Sequence, residues 1–300
     1  MGFHPLPYLK LCRPANLPTA AADIIAGMAV AGAYSKNPGS IQTVFENSST
    51  PILLIIASVL LYAGGVVLND VFDFKIDTIE RPERPIPTGD VTQQQGMIFG
   101  FVLLGLGIFS AFMVNQKTGL IALVLAISIV LYDTISKKND FIGPLNMGIC
   151  RSLNLLLGIA VLGEFTNWHY MVIPLIFIGA VTLISRGEVH GKNKKNILLA
   201  AFLYLTVIFC VIYFNESETN MGNFYWLFLT LFAIMVFVPL FKAYKSNTPG
   251  NIKKAVVAGV LSLVLLDAAI TASHSNWMIA LLLVLLLPLS IFLSKIFSVT

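Results

Sequence analysis

Ten long apolar runs, separated by short polar breaks, leave this chain little choice of solvent. They fall at 16–34, 51–74, 93–114, 118–136, 142–163, 168–186, 196–214, 223–241, 252–273 and 277–297. Each is close to the roughly 20 residues that carry a helix across a bilayer. Charged residues make up only 11% of the 300, against 57% hydrophobic. A soluble domain is about 25% charged, so this chain lacks the polar surface to cover a soluble globule. The pattern predicts an all-α, polytopic transmembrane bundle of nine to ten helices. No low-complexity tract or linker interrupts it, so residues 1–300 read as a single transmembrane domain. The first run ends in small residues, as a signal peptide does, but nine more follow and it reads as the first membrane helix. Leu6 stands where a myristoylation signal needs Ser or Thr.

The charges orient the bundle. With the N-terminus cytoplasmic, all but three of the 19 lysines and arginines fall on the inner side. Lys36 and Lys117 face out, and Arg151 lies within a span. That asymmetry follows the positive-inside rule, and Trp168, Trp226 and Trp277 all start helices on the outer side, where an aromatic belt belongs. The expectation is a multi-pass integral protein, in a bacterial inner membrane, with its polar loops and active site facing the cytoplasm. A net charge of +4 with no basic stripe excludes a nucleic-acid partner. Cys12, Cys150 and Cys210 have no metal or redox spacing and read as small apolar residues. The triplets starting at Asn47 and Asn215 fit glycosylation acceptors, a pattern that chance produces freely.

The second run ends in Asn69-Asp70-Val71-Phe72-Asp73-Phe74-Lys75-Ile76-Asp77. At about 100° per residue, Asp77 lies some 20° from Asp70 around a helix and Asp73 about 60° away. Three carboxylates would then share one face at the rim of the hydrocarbon. Like charges so close raise one another's pKa unless a cation bridges them. Hard oxygen ligands of this kind suit Mg²⁺, typically completed by substrate phosphates. Pro82, Pro85 and Pro87 with Gly89 then forbid a continuous helix through 82–89.

These residues carry a resemblance. The run Asn69-Asp70-x-x-Asp73-x-x-x-Asp77 resembles the first signature of the UbiA superfamily of membrane prenyltransferases. Arg81-Pro82-x-Arg84-Pro85-x-Pro87-x-Gly89 is similar to that family's next segment, a cap over the site. Arg13-Pro14-x-Asn16 is similar to its opening motif, and Tyr132 with Lys138 to a third. The resemblance implies a helical cavity open to membrane lipid and a polyprenyl diphosphate held by two Mg²⁺. It also implies transfer of the isoprenyl chain to a small-molecule acceptor. Asp70, Asp73 and Asp77 would be catalytic metal ligands; Asn16, Asn69, Arg81, Arg84, Tyr132 and Lys138 would bind substrate.

After the sixth run the family offers two aspartates for a second metal. Here the segment reads Ser185-Arg186-Gly187-Glu188-Val189-His190-Gly191-Lys192. Glu188 is its sole carboxylate and the expected metal ligand on that side. Either one Mg²⁺ is held mostly by the first motif, or Arg186, Lys192, Lys194 and Lys195 share in neutralising the diphosphate. Imidazole suits softer metals, so His190 reads better as a phosphate contact or a base than as a ligand. The segment resembles the EboC-type branch, which implies a cyclitol or polyol acceptor. Arg151 and Asn154, three apart in the fifth run, are either acceptor or phosphate contacts or a structural pair with the intramembrane Asp23 or Asp267. Asp133 and Lys137 read as a surface pair at helical spacing. His4, His169 and His274 read as solvated. Against the enzyme stands one reading of another class, a transporter or flippase that moves a lipid-linked precursor through the same cavity without turnover.

Overall fold

Inside hydrocarbon every peptide N–H and C=O must be satisfied within its own segment, so apolar runs of this length fold as helices. The computed structural model describes residues 5–34, 49–216 and 224–297. His4, Lys36 and the Asn47 triplet lie outside the described residues. In chain order the helices are α1 (Pro5–Leu11), α2 (Leu17–Val30), α3 (Ser49–Phe72), α4 (Phe74–Glu80), α5 (Gln93–Phe112), α6 (Gln116–Thr134), α7 (Ile142–Ile159), α8 (Val172–Ser185), α9 (Lys194–Glu216), α10 (Tyr225–Lys245), α11 (Pro249–His274), α12 (Trp277–Val284) and α13 (Leu286–Ser294). Described residues include no strand. Among them, nine helical segments are long and apolar enough to cross a membrane, the last formed by α12 and α13 together.

The first apolar run, 16–34, forms only the 14 residues of α2. At 1.5 Å per residue that is about 21 Å, short of the roughly 30 Å hydrocarbon core. It needs no lipid-facing surface, because α3, α7, α11 and α13 pack around it and nearly all its residues are buried. Close approach to α7 depends on two glycines. A Cβ on Gly27 would meet the Leu155 carbonyl oxygen at 2.4 Å, and one on Gly158 would meet that of Ile24 at 2.6 Å. Small residues are the usual means of bringing membrane helices into backbone contact. Longest of the set, α11 is buried over most of its length against α2, α8 and α10.

Alternation of direction along the chain brings the start of α2 and the ends of α3, α6 and α8 to one side. There the proline-rich segment folds as successive turns, with Gly89 at φ +82°. Its Ile86 packs with Leu11, Val71 and Val91 in a small apolar cluster, which pins the segment beneath α1 and the end of α3. On the opposite side the exposed Trp168, Trp226 and Trp277 each sit at a helix start.

Two sequence readings change. His274, expected to be solvated, is buried with its ring edge-on to Tyr170, while His169 is half-buried and packs on Tyr170 and Phe214. Asn215, expected on an outer loop, is buried on α9, and Ser217 of its triplet lies outside the described residues.

Candidate active site

The helix carrying the three aspartates does not run straight. It breaks at Asp73, where φ −87° and ψ 4° separate α3 from α4, so the single carboxylate face expected from ideal periodicity is split. Asp70 and Asp77 stay together and share one guanidinium: Arg84 Nη1 lies 2.9 Å from Asp70 Oδ1 and 2.7 Å from Asp77 Oδ2. Asp70 also takes Arg13 Nη2 at 2.6 Å. Arg13 holds a left-handed backbone at φ +46° just before the short turn Pro14–Asn16, a conformation uncommon outside glycine and a mark of local constraint. Burial holds the Asp77 carboxyl above the usual carboxylate range, with Arg84 opposing. Burial, and then the like charge of Arg13, lowers Arg84. The buried Arg84 thus fastens the proline-rich segment to the end of α3.

Asp73 turns the other way. Its Oδ1 lies 2.6 Å from Lys137 Nζ, in the turn after α6. Both face a cavity of about 430 Å³, whose helix-end groups are Arg13, Asn69, Asp73, Arg81, Lys137 and Glu188. Much of the remaining wall is aliphatic: Leu125 and Ile129 of α6, Ile178 and Val181 of α8, and Val256, Val260 and Leu263 of α11. Glu188, just past α8, has a buried Oε1 with no hydrogen-bond partner. Burial raises its pKa, countered by the nearby charges of Arg81, Lys253 and Arg13.

Of the residues singled out from sequence, Asn16, Asn69, Asp73, Arg81, Tyr132, Arg151, Asn154 and Glu188 line this cavity. Asp70, Asp77 and Arg84 lie behind it as the ion-paired cluster. Lys138, His190 and Lys192 are exposed and do not line it; the turn after α6 presents Lys137 instead. Arg186 binds Asp140 Oδ1 at 2.6 Å and the Asn139 carbonyl at 3.0 Å, away from the cavity. Arg151 pairs with Asp23, Nε to Oδ2 at 2.6 Å, while Asn154 donates to the same oxygen at 2.8 Å. Both therefore anchor α2 to α7 and also reach the cavity wall.

Sequence reasoning passed over Lys137 and Asp133. The two do not form the expected surface pair: Asp133 is 3% exposed and accepts from Asn69 Nδ2 at 2.9 Å. An acid inside an apolar run was signal enough, since intramembrane carboxylates nearly always face a partner or a cavity. Nothing in adjacent lysines distinguishes Lys137 from Lys138; only the turn does.

The donor set fits magnesium. Asp73 and Glu188 offer carboxylate oxygens to one cavity, with Asp70 and Asp77 next to them, and exposed His190 contributes no imidazole. Among the described residues no three His, Cys, Asp or Glu side chains form a ready-made cluster.

Comparison with known proteins bears on the family and the fold. The model of the UbiA prenyltransferase family matches residues 23–186. A digeranylgeranylglyceryl phosphate synthase of Methanoregula boonei is 33% identical over 179 residues, 59% of this chain and 58% of that protein. One from Saccharolobus solfataricus is 31% identical over 191 residues, 63% of each chain. The matched stretch thus spans less than two thirds of these relatives. Among solved structures, a UbiA homologue of Aeropyrum pernix superposes with TM-score 0.67 at 15% identity, covering 84% of this chain and 96% of that one. A homologue from Archaeoglobus fulgidus bound to GPP and Mg²⁺ gives 0.60 at 12% identity, covering 88% and 99%. Such low identities speak for the fold alone. The family model, matching more than half of the chain, decides the matter: this multi-pass membrane protein belongs to the UbiA prenyltransferase family.

Proposed function

We propose that the protein transfers an isoprenyl chain from a polyprenyl diphosphate to a small acceptor bearing a hydroxyl group. One observation carries this reading: ionic side chains gather at the helix ends of a cavity whose remaining wall is largely aliphatic. That arrangement matches an amphiphile with a diphosphate head and a hydrocarbon tail. Arg13, Arg81 and Lys137 supply positive charge for the head, and the aliphatic walls of α6, α8 and α11 exclude water from the reacting carbon. Asp73 and Glu188, with the ion-paired Asp70 and Asp77 behind them, would hold a magnesium ion, which would supply Lewis-acid neutralisation of the leaving diphosphate. Arg84 keeps the proline-rich cap closed against these carboxylates.

The relatives named above are digeranylgeranylglyceryl phosphate synthases, and the resemblance of the Ser185–Lys192 segment to the EboC-type branch implies a cyclitol or polyol; a hydroxyl nucleophile is common to both. The basic residues crowd the side that holds Asp73 and Glu188, so we place the cavity's ionic end in the cytoplasm. The test uses purified protein in lipid nanodiscs with geranylgeranyl diphosphate, Mg²⁺ and a panel of glycerol 1-phosphate and myo-inositol. Pyrophosphate released in step with an alkylated acceptor, identified by mass spectrometry, is the expected result. A donor that binds and stays intact contradicts it and favours a transporter.

A further inference from the structure

Asp133 is a buried acid in the membrane-spanning α6 whose role the ion-paired cluster does not explain. Its Oδ1 accepts the Asn69 amide at 2.9 Å. Its Oδ2 is buried without any hydrogen-bond partner, although the residue lines the cavity. The nearest lysine along the chain, Lys137 in the turn after α6, is engaged with Asp73. A buried polar atom left unsatisfied is destabilising, the more so for a charged group, and an acid within a span is expensive in itself. A ligand that donates a hydrogen bond removes that penalty. Neither a diphosphate, all acceptor and anionic, nor a hydrocarbon tail donates one. An acceptor hydroxyl does.

We propose that Asp133 is the general base that receives the acceptor's hydroxyl proton, a role resting on the prenyl-transfer reading above. Asn69 fixes one carboxylate oxygen and leaves Oδ2, on a residue of the cavity lining, without a partner. The acceptor oxygen forms a bond to C1 of the prenyl chain as the bond from C1 to the diphosphate oxygen breaks. The electron pair of that bond leaves with the diphosphate, and the hydroxyl proton passes to Asp133 Oδ2. No oxidant or reductant is required. The site therefore selects acceptors that present a neutral O–H near Asn69 and Tyr132.

Asp133→Asn keeps an oxygen for Asn69 and removes the base. Transfer to glycerol 1-phosphate or myo-inositol should fall roughly 10²- to 10³-fold, the usual share of general-base catalysis. Monothiol analogues of the same acceptors, whose proton leaves near pH 8.5, should lose less than about tenfold, because they need the base less. Binding of unreactive geranylgeranyl thiodiphosphate with Mg²⁺ should change by less than about threefold, since a base is not needed to bind the donor. Equal loss with hydroxyl and thiol acceptors, or weakened binding of the donor analogue, overturns the assignment in favour of a positioning or metal role. Undiminished hydroxyl transfer in the variant overturns it while leaving prenyl transfer intact. A wild-type protein that releases no pyrophosphate with any acceptor instead removes the reading on which it rests.

Discussion

Lys137 and Lys138 are neighbours in sequence, yet only Lys137 reaches the cavity. A charge-assisted hydrogen bond of this kind contributes about 1.5–3 kcal/mol, or roughly 10- to 100-fold in affinity. Lys137→Ala should therefore weaken binding of a prenyl diphosphate analogue by at least about tenfold, while Lys138→Ala stays near wild type; titration calorimetry separates the two. The segment after α8 offers a parallel contrast. Glu188 faces the cavity and His190 is exposed, so Glu188→Gln should remove most activity and His190→Ala little. Burial raises Glu188 above the usual carboxylate range. It therefore takes up its proton at a higher pH than a free glutamate as the solution is acidified, and loses its capacity as an anionic ligand there. Activity should fall as pH drops through that raised value, on an acid limb above the ordinary carboxylate range. A limb within the ordinary range contradicts the role given to Glu188. The residue types of this site could be read from the chain, because carboxylates and arginines beside apolar runs have few structural uses. Their facing could not. A single turn decides between adjacent lysines, and Asp133 resembles an ordinary helical pair until Asn69 is seen to hold it.

At the level of elements, two departures from ideal helices shape the site. The break at Asp73 sends one carboxylate to Lys137 and leaves two on Arg84. No residue at that point forbids a helix, so the periodicity of 69–77 ran straight through it. The second is the contact of α2 with α7 through Gly27 and Gly158, which sets Asp23 against Arg151 and Asn154. The sequence offered Asp23 and Asp267 as alternative partners; Arg151 takes Asp23. Replacing Gly158 with Leu forces the two helices apart. Overpacking of this kind destabilises by about 1–3 kcal/mol and pulls Arg151 and Asn154 off the cavity wall. Thermal unfolding in detergent should shift downward, with loss of donor binding out of proportion to the shift. An unchanged melting temperature contradicts the close packing of α2 on α7. Positions of the membrane helices, by contrast, followed from hydropathy, since the hydrocarbon imposes length and internal hydrogen bonding on each run. Only α2, enclosed by protein, escaped the length requirement.

For the molecule as a whole, alternation of helix direction gathers the chemistry on one side and tryptophans on the other. The ionic end of the cavity draws on Arg13, Asp73, Arg81, Lys137 and Glu188, from four separate stretches of the chain, Asp73 and Arg81 flanking α4. Behind them Asp70, Asp77, Arg13 and Arg84 form a buried charge network that ties the cap to the bundle. The two groups separate by mutation. Asp73 faces the cavity and is half-buried, so its loss should spare the fold, whereas loss of Asp70 strands the Arg13 guanidinium and leaves Arg84 with Asp77 alone. The central claim is that carboxylates at this cavity bind a prenyl diphosphate together with magnesium. The direct measurement is binding of geranylgeranyl thiodiphosphate to wild type and Asp73→Asn, each with and without Mg²⁺, at matched melting temperature. Wild-type affinity should rise at least about tenfold with Mg²⁺, and the variant should lose that gain while staying folded, as removal of a metal ligand requires. A magnesium-dependent gain of equal size in Asp73→Asn would contradict the account.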